Sequence, residues 1–143
     1  MEIASPGPVL PVKRLPVGEK IIIRGTPTRI PLFSVDLACT GEGKSDLAAL
    51  FRVVFNDGNH VNTVIINDLF NGTYGKAAAM YDSPFEFNVP FTMVWVLRPP
   101  LLQITVTTAE SSSRKDYSKT NLSSCYDRIE HWGKLTISLL HMT

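Results

Sequence analysis

The sequence predicts an all-β fold, an antiparallel sandwich of two sheets, from three observations. Its apolar segments are short and alternate with a period of two, as half-buried strands do. Turn-forming residues separate these segments at short intervals along the chain. The 143 residues are 44% hydrophobic and 19% charged, which is the balance of one globular domain with its own core.

The predicted strands follow one another in order. Residues 20–24 and 61–67 are short runs rich in β-branched side chains. Within residues 91–97, every second position is apolar and belongs to one face. Residues 102–107 and 135–139 alternate apolar with polar side chains, which predicts strands with one face in the core. Turn signals separate these runs at residues 17–18, 25–27, 56–58, 71–72 and 98–100.

Two segments are ambiguous between helix and strand. Residues 45–55 have a composition compatible with a helix. Residues 122–131 are compatible with a helical turn or with an irregular crossover between strands.

The beginning of the chain predicts an arm rather than a targeting segment. The first twenty residues contain four prolines and two glycines, with neither a cationic start nor a long apolar stretch. This composition fits neither a signal peptide nor a membrane span. We therefore predict an extended arm over residues 1–16 and one domain over residues 17–143.

Charge and cysteine content narrow the function classes. With 14 basic and 13 acidic residues the net charge is +1, so the chain lacks the basic excess that nucleic-acid binding requires. The two cysteines, Cys39 and Cys125, are expected to be reduced thiols, because no secretory signal is evident. We predict no nucleic-acid partner and no membrane insertion.

A phosphate-binding loop is one alternative for residues 38–45. Ala38 and the run Gly43, Lys44, Ser45 fit the relaxed spacing of that motif, with alanine in place of its first glycine. In this minor alternative Lys44 reaches the terminal phosphates of a nucleotide and Ser45 holds magnesium. The missing glycine and the strand-like remainder of the chain favour a polar hairpin loop instead.

The sequence shows no catalytic constellation. The three histidines, His60, His131 and His141, are scattered and lack metal-ligand spacing with each other or with the cysteines. Carboxylates such as Asp57 and Asp68 lie in predicted loops, where little would desolvate them. We therefore predict no enzyme activity, no catalytic residue, no metal and no cofactor.

Several stretches in order resemble the galectins. They are VGEKIIIRGTP, VDLACTGEGKSDLAALFRVVF, NTVIIND, NGTYGKAA, SPFEF and GKLTISLL, which together span residues 17–140. Galectins carry matching strands in the same order, including "Leu-His-Phe-Asn-Pro-Arg-Phe" and "Gly-x-Trp-Gly-x-Glu-x-Arg". The resemblance implies a two-sheet jelly-roll sandwich, similar to concanavalin A, with a shallow glycan groove on the concave sheet.

The resemblance also assigns faces to the strand at residues 50–55. Alternate side chains point to opposite faces of a strand. The core-facing set is Phe51, Val53 and Phe55, and the groove-facing set is Leu50, Arg52 and Val54. At the three groove positions galectins have His, Asn and Arg, which hydrogen-bond galactose hydroxyls.

The remaining site positions follow from the next two stretches. Asn67 matches the family's asparagine, and Tyr74 matches the tryptophan on which galactose stacks. Ala77 and Ala79 stand where the family has Glu and Arg. The alternatives are a turn role for Asn67, an ordinary strand aromatic at Tyr74 and a solvated charge at Arg52.

The resemblance thus implies a non-catalytic lectin with a divergent galactoside site. Arg52, Asn67 and Tyr74 are the carbohydrate-binding candidates, and a glycan or glycoprotein of β-galactoside type, with altered specificity, is the expected partner. The alternative is a galectin-fold protein that has lost sugar binding and serves as a protein-interaction or structural module. A homodimer and a cytoplasmic location, with export that needs no signal peptide left open, are further expectations from the family.

Overall fold

The chain folds into two antiparallel β-sheets that pack face to face. The computed structural model describes residues 2–4, 9–11, 19–29, 31–39, 46–108, 114–132 and 135–142. These residues form thirteen strands and no helix: β1 (Glu2–Ala4), β2 (Val9–Pro11), β3 (Glu19–Pro27), β4 (Leu32–Cys39), β5 (Leu47–Asn56), β6 (Val61–Phe70), β7 (Thr73–Tyr74), β8 (Ala78–Met80), β9 (Phe91–Arg98), β10 (Leu101–Thr108), β11 (Arg114–Lys119), β12 (Tyr126–Trp132) and β13 (Leu135–Met142).

The thirteen strands are divided between the two sheets. One sheet has six strands in the order β1-β13-β3-β9-β10-β11. The other has seven, in the order β2-β12-β4-β5-β6-β7, with β8 also pairing with β6. The pairings are antiparallel, so the predicted all-β sandwich is confirmed. Strands β1 and β2 fall within the predicted arm and lie at the edges of different sheets.

Both ambiguous segments are strands. Residues 47–56 form β5, so of the two alternatives for this segment the strand is correct and the helix is wrong. Strand β5 lies between β4 and β6 and buries nearly all of its side chains, and this tertiary pairing overrides local helix propensity. Residues 126–132 form β12, and residues 122–125 connect to it without a helical turn. The phosphate-loop alternative needs a helix after its loop and is therefore wrong; residues 40–45 themselves lie outside the described residues.

Aromatic side chains fill the space between the sheets. Phe51 on β5 meets Trp95 of the opposite sheet at a centroid distance of 6.2 Å and Tyr117 at 5.6 Å. Phe33 on β4 stacks on Phe91 at 5.8 Å. These rings are fully or almost fully buried, and together with the aliphatic residues of both inner faces they form one core.

A disulfide joins Cys39 to Cys125, which corrects the expectation of reduced thiols. Cys39 ends β4 and pairs with Tyr126, the first residue of β12. Cys125 directly precedes Tyr126, so it lies within bonding reach of Cys39, at a Cα–Cα distance of 4.8 Å. The two cysteines are 86 residues apart in sequence, and only the register of β12 on β4 reveals that they meet.

Among the described residues, no helix is long and apolar enough to cross a membrane.

Candidate functional site

The candidate site is the outer face of the seven-stranded sheet, called the groove face below. Phe51, Val53 and Phe55 belong to the core, as predicted, so the intervening side chains of β5 point the other way. The β5–β6 register then sets pairs across the groove face: Leu50 opposite Asn67, Arg52 opposite Ile65 and Val54 opposite Thr63. On the other side of β5, Asp36 lies opposite Leu50 and Ser34 opposite Arg52.

A β-bulge gathers leucines at one end of this face. The registers of β4 on β5 and of β5 on β6 both shift near Ala48 and Ala49, and these two successive residues both belong to the core. The extra residue turns Leu47 and Leu50 to the same face, where they form a cluster with Ala38 and Leu69. Simple alternation along β5 would have separated the two leucines.

The apolar groove positions are covered rather than open. Leu50 is 3% exposed and Val54 is 1% exposed. The resemblance placed these two side chains on the groove face, and the β5–β6 register agrees with that. However, neighbouring side chains hide them, so a ligand on this face would meet the residues around them.

Charged and polar side chains cross the face beside the leucine cluster. Ser34 Oγ donates to Asp36 Oδ1 at 2.6 Å, and both residues are buried. Half-buried Arg52 is diagonal to Asp36 across β4 and β5. On β12, Arg128 donates from Nε to Glu130 Oε1 at 2.9 Å and from Nη1 to the Cys39 carbonyl at 3.0 Å. The acids and bases of this strip offset one another, which buried charge requires.

Asn67 lies in the middle of β6, so the turn alternative for this residue is wrong. Its side chain is 9% exposed, and its Oδ1 accepts the backbone N–H of Asp68 at 2.9 Å. That bond uses the carbonyl oxygen. The Nδ2 hydrogens of the amide are not used by that bond, so they can donate to a ligand.

Tyr74 is the most exposed aromatic side chain of the predicted site, at 56%. The turn that places it has positive φ at both Asn71 and Gly72, which is the backbone of a tight two-residue hairpin turn. Strand β7 then sets Tyr74 opposite Leu69 at the open edge of the groove face. A flat, amphipathic ring in this position can stack on a ligand.

Gly75 supports this arrangement and was missed by sequence reasoning. Its N–H donates to the Asp68 carbonyl at 3.1 Å, and a Cβ atom at this position would clash with Asp68 Oδ1. Lys119 of the opposite sheet holds the same carboxylate, with Nζ 2.8 Å from Asp68 Oδ2. The glycine directly after the aromatic residue was the available signal, because only glycine permits this close approach.

At the edge of the site, alanines occupy both positions where the resemblance led us to look for a charged pair, residues 77 and 79. Both alanines are exposed, and Ala79 lies opposite Ile65 on β8 and β6. Their methyl groups cannot supply hydrogen bonds at the positions where the resembling family has Glu and Arg. The structure therefore brings Arg52, Asn67 and Tyr74 to one face, with apolar or small side chains at the other predicted positions.

Two carboxyl groups with lowered pKa values and one cleft lie outside the groove face. Backbone N–H groups of His60 and Asn59 lower the pKa of Asp57, which caps the β5–β6 turn. Hydrogen bonding to Arg114 lowers the pKa of Asp116 on the six-stranded sheet. A cleft of about 640 Å³, between Arg29, Phe55 and Phe87, opens at the end of the sandwich. The described residues contain no group of three metal-ligating side chains.

Comparison with known proteins points to one family. A model of the galactoside-binding lectin family matches residues 9–142. No individually curated protein matches the sequence significantly. Among solved structures, the Caenorhabditis elegans galectin LEC-6 superposes with a TM-score of 0.79 at 20% identity, over 99% of this chain and 96% of its own.

Two further similar structures were solved with small molecules. A toad ovary galectin in complex with N-acetylgalactose has a TM-score of 0.68 at 16% identity, over 94% of this chain and 99% of its own. Congerin II with lactose and MES has a TM-score of 0.74 at 14% identity, over 93% of this chain and 98% of its own. At these identities the likeness shows a shared fold.

Proposed function

Since this chain belongs to the galactoside-binding lectin family, we propose that it is a non-catalytic lectin that binds glycans on its groove face with an altered set of contacts. The observation that carries the proposal is the convergence of Tyr74, Asn67 and Arg52 on that face. Similar structures bind N-acetylgalactose and lactose, which supports a sugar as the ligand class.

Tyr74 would supply the main contact to the sugar. The apolar face of a pyranose packs on an aromatic ring, and an exposed ring at the edge of a sheet needs no rearrangement to receive it. Asn67 Nδ2 and the Arg52 guanidinium would donate to hydroxyl oxygens, since an amide nitrogen and a guanidinium both carry N–H donors. Three contacts of this kind favour a weak, selective site.

The departures from the family favour altered specificity. A sugar site gains discrimination from hydrogen bonds whose loss leaves a buried group unpaired, at about 1–3 kcal/mol each. Leu50, Val54, Ala77 and Ala79 provide no such side-chain bonds, so the usual galactoside contacts are largely absent. We propose that the natural glycan presents an apolar patch, such as a methyl group, to the exposed methyl groups of Ala77 and Ala79 at the edge of the face.

A second candidate function is a protein-interaction module that has lost sugar binding. The exposed apolar edge formed by Ala77, Ala78 and Ala79 beside Tyr74 favours it. In this candidate the groove face or its edge contacts protein, and no sugar changes the stability of the chain.

A glycan array of the purified protein, with lactose as competitor, tests these candidates. Binding that depends on Tyr74 supports the lectin, and competition by lactose defines it as a galactoside site. A ligand that prefers the folded state must also raise the melting temperature, which provides a second readout. A blank array from folded protein, with no thermal shift by any sugar, would reject the lectin and favour the interaction module.

A further inference from the structure

Strand β11, at the edge of the six-stranded sheet, carries two lysines that form ion pairs with the opposite sheet. Tyr117 of β11 belongs to the core, so Lys115 and Lys119, two residues to either side of it, point inward as well. Lys119 pairs with Asp68 of β6, and Lys115 pairs with Asp82, which follows β8. Two ion pairs therefore join the sheets along this side of the sandwich, one on each side of Tyr117.

The two ion pairs differ in burial. The Lys119 side chain is 9% exposed and that of Asp68 is 24% exposed, with Nζ 2.8 Å from Oδ2. The Lys115 and Asp82 side chains are 39% and 88% exposed. An exposed pair is screened by water and contributes little, whereas removing one partner of a covered pair leaves the other charge without compensation. Of the two pairs, Lys119–Asp68 is therefore the one whose loss should change the structure around it.

Asp68 connects this ion pair to both sides of the candidate site. Its backbone N–H donates to Asn67 Oδ1 at 2.9 Å, and its carbonyl accepts the N–H of Gly75 at 3.1 Å. Asn67 is one of the proposed sugar contacts, and Gly75 directly follows Tyr74, which is another. One residue is thus bonded to Lys119, to Asn67 and to the neighbour of Tyr74.

The backbone around Tyr74 has few other restraints. Strand β7 has two residues, pairs with two positions of β6 and lies in the fully exposed segment 71–79. A short, exposed strand of this kind opens at a low free energy. The Asp68 carboxylate lies against Gly75, where a Cβ atom would clash with it. The position of that carboxylate therefore sets the path of the backbone that follows Tyr74.

We propose that Lys119 positions the groove face for a glycan, although it belongs to the opposite sheet. Its ammonium group holds the Asp68 carboxylate, and Asp68 in turn fixes the Asn67 amide and the backbone next to Tyr74. The inference rests on the proposed function, because it concerns two of the same contact residues. Lys119 acts through Asp68 and does not touch the sugar, so it is a positioning residue.

Amide hydrogen exchange of the full chain, without sugar, tests the first step. Lys119→Met keeps an unbranched apolar side chain and removes the ammonium group. In this variant the Gly75 and Asp68 amides should exchange about tenfold faster than in the parent. Lys115→Met is the matched control, with the same change on the same side of β11, and should leave both amides within about twofold of the parent. Unchanged protection of β10 in both variants would show that the sandwich is intact.

Titration of the same proteins over a glycan array tests the second step. Lys119→Met should weaken binding to each glycan that the parent binds by about tenfold, because misplaced contacts lose affinity. Lys119→Arg keeps the positive charge and should restore binding to within about threefold of the parent. Lys115→Met should bind as the parent does. Since Lys119 acts partly through Tyr74, Lys119→Met/Tyr74→Ala should lose less than the product of the two single losses.

The outcomes separate this proposal from the proposed function. Equal exchange of the Gly75 amide in Lys119→Met and the parent would overturn the positioning role, whatever the ligand. Faster exchange with unchanged glycan binding would also overturn it, because the ion pair would then serve stability alone. Either result leaves the lectin function standing. A blank array from the folded parent would instead reject the lectin function, and the positioning of a glycan with it.

Discussion

Leu50 lies directly opposite Asn67 in the β5–β6 ladder, so the best-buried leucine of the groove face neighbours the asparagine that we propose as a donor to a glycan. The pair changes what the asparagine can do. A histidine opposite Asn67 would share hydrogen bonds to one hydroxyl group, whereas Leu50 excludes water and packs on Leu47 and Leu69. Leucine at this position therefore gives Asn67 an apolar neighbour instead of a second hydrogen-bonding group.

Restoring the family's polar set should create lactose binding. The variant Leu50→His/Arg52→Asn/Val54→Arg/Ala77→Glu/Ala79→Arg places the missing donors and acceptors on the same strands. Each regained hydrogen bond is worth about 1–3 kcal/mol where its loss leaves a group unpaired. Titration calorimetry with lactose should show saturable binding in the folded variant and weaker or no binding in the parent.

The same variant carries a stability cost that needs a matched control. Leu50 and Val54 are buried, so Leu50→His alone should lower the free energy of unfolding by about 2–4 kcal/mol. Ala77→Glu/Ala79→Arg alters only exposed positions and should leave the melting temperature nearly unchanged. If the complete set folds but ignores lactose, the register or the role assigned to these positions is wrong.

The residue pattern predicted the sandwich because burial on one face of a strand leaves a local trace. Leu102, Ile104 and Val106 alternate with polar residues, and that period is visible without knowing any partner strand. The burial of Leu50 could not be predicted in this way. It depends on the bulge at Ala48 and Ala49 and on Leu69, which belongs to a different strand.

Long-range contacts account for the other differences. The Cys39–Cys125 disulfide depends on the register of β12 on β4 across 86 residues. The need for Gly75 depends on how closely its backbone approaches Asp68. Neither leaves a periodic signal in the sequence, whereas the resemblance to a family correctly predicted the two-sheet sandwich that contains both.

Tyr74 is expected to be important for binding and neutral for stability. Tyr74→Ala removes the stacking surface and should weaken the best glycan from the array by roughly tenfold, or about 1–2 kcal/mol. Tyr74→Phe retains the ring and should lose much less. Calorimetry measures both, and thermal unfolding should show little change because the side chain is 56% exposed. Tyr81→Ala, at another exposed tyrosine, is the matched control; equal losses in both variants would argue against a site at Tyr74.

Reducing the disulfide should destabilise the chain substantially. Closing a loop of 86 residues restricts the unfolded chain by about 4–5 kcal/mol in the chain-entropy description. Urea unfolding with and without reducing agent should therefore show a lower midpoint in the reduced protein. Cys39→Ala/Cys125→Ala should unfold at the lower midpoint under both conditions. A parent protein insensitive to reductant would contradict the disulfide.

Tyr117 should make the fold sensitive to alkali. Burial, followed by the negative charge of Asp82, raises its pKa from 10.0 to about 12. The unfolded tyrosine therefore loses its proton first, so the stabilisation is complete below pH 10.0 and is lost as the pH rises towards about 12. The Tyr117 hydroxyl is buried and has no hydrogen-bond partner among the described residues, so Tyr117→Phe should be neutral or stabilising by up to about 1 kcal/mol at pH 7.

Urea unfolding from pH 7 to pH 11 measures the difference in unfolding free energy between the parent and Tyr117→Phe, and taking this difference cancels the titration of all other groups. The variant should gain relative stability above pH 10.0; a constant difference across this range would mean that the Tyr117 hydroxyl ionises as it does in the unfolded chain.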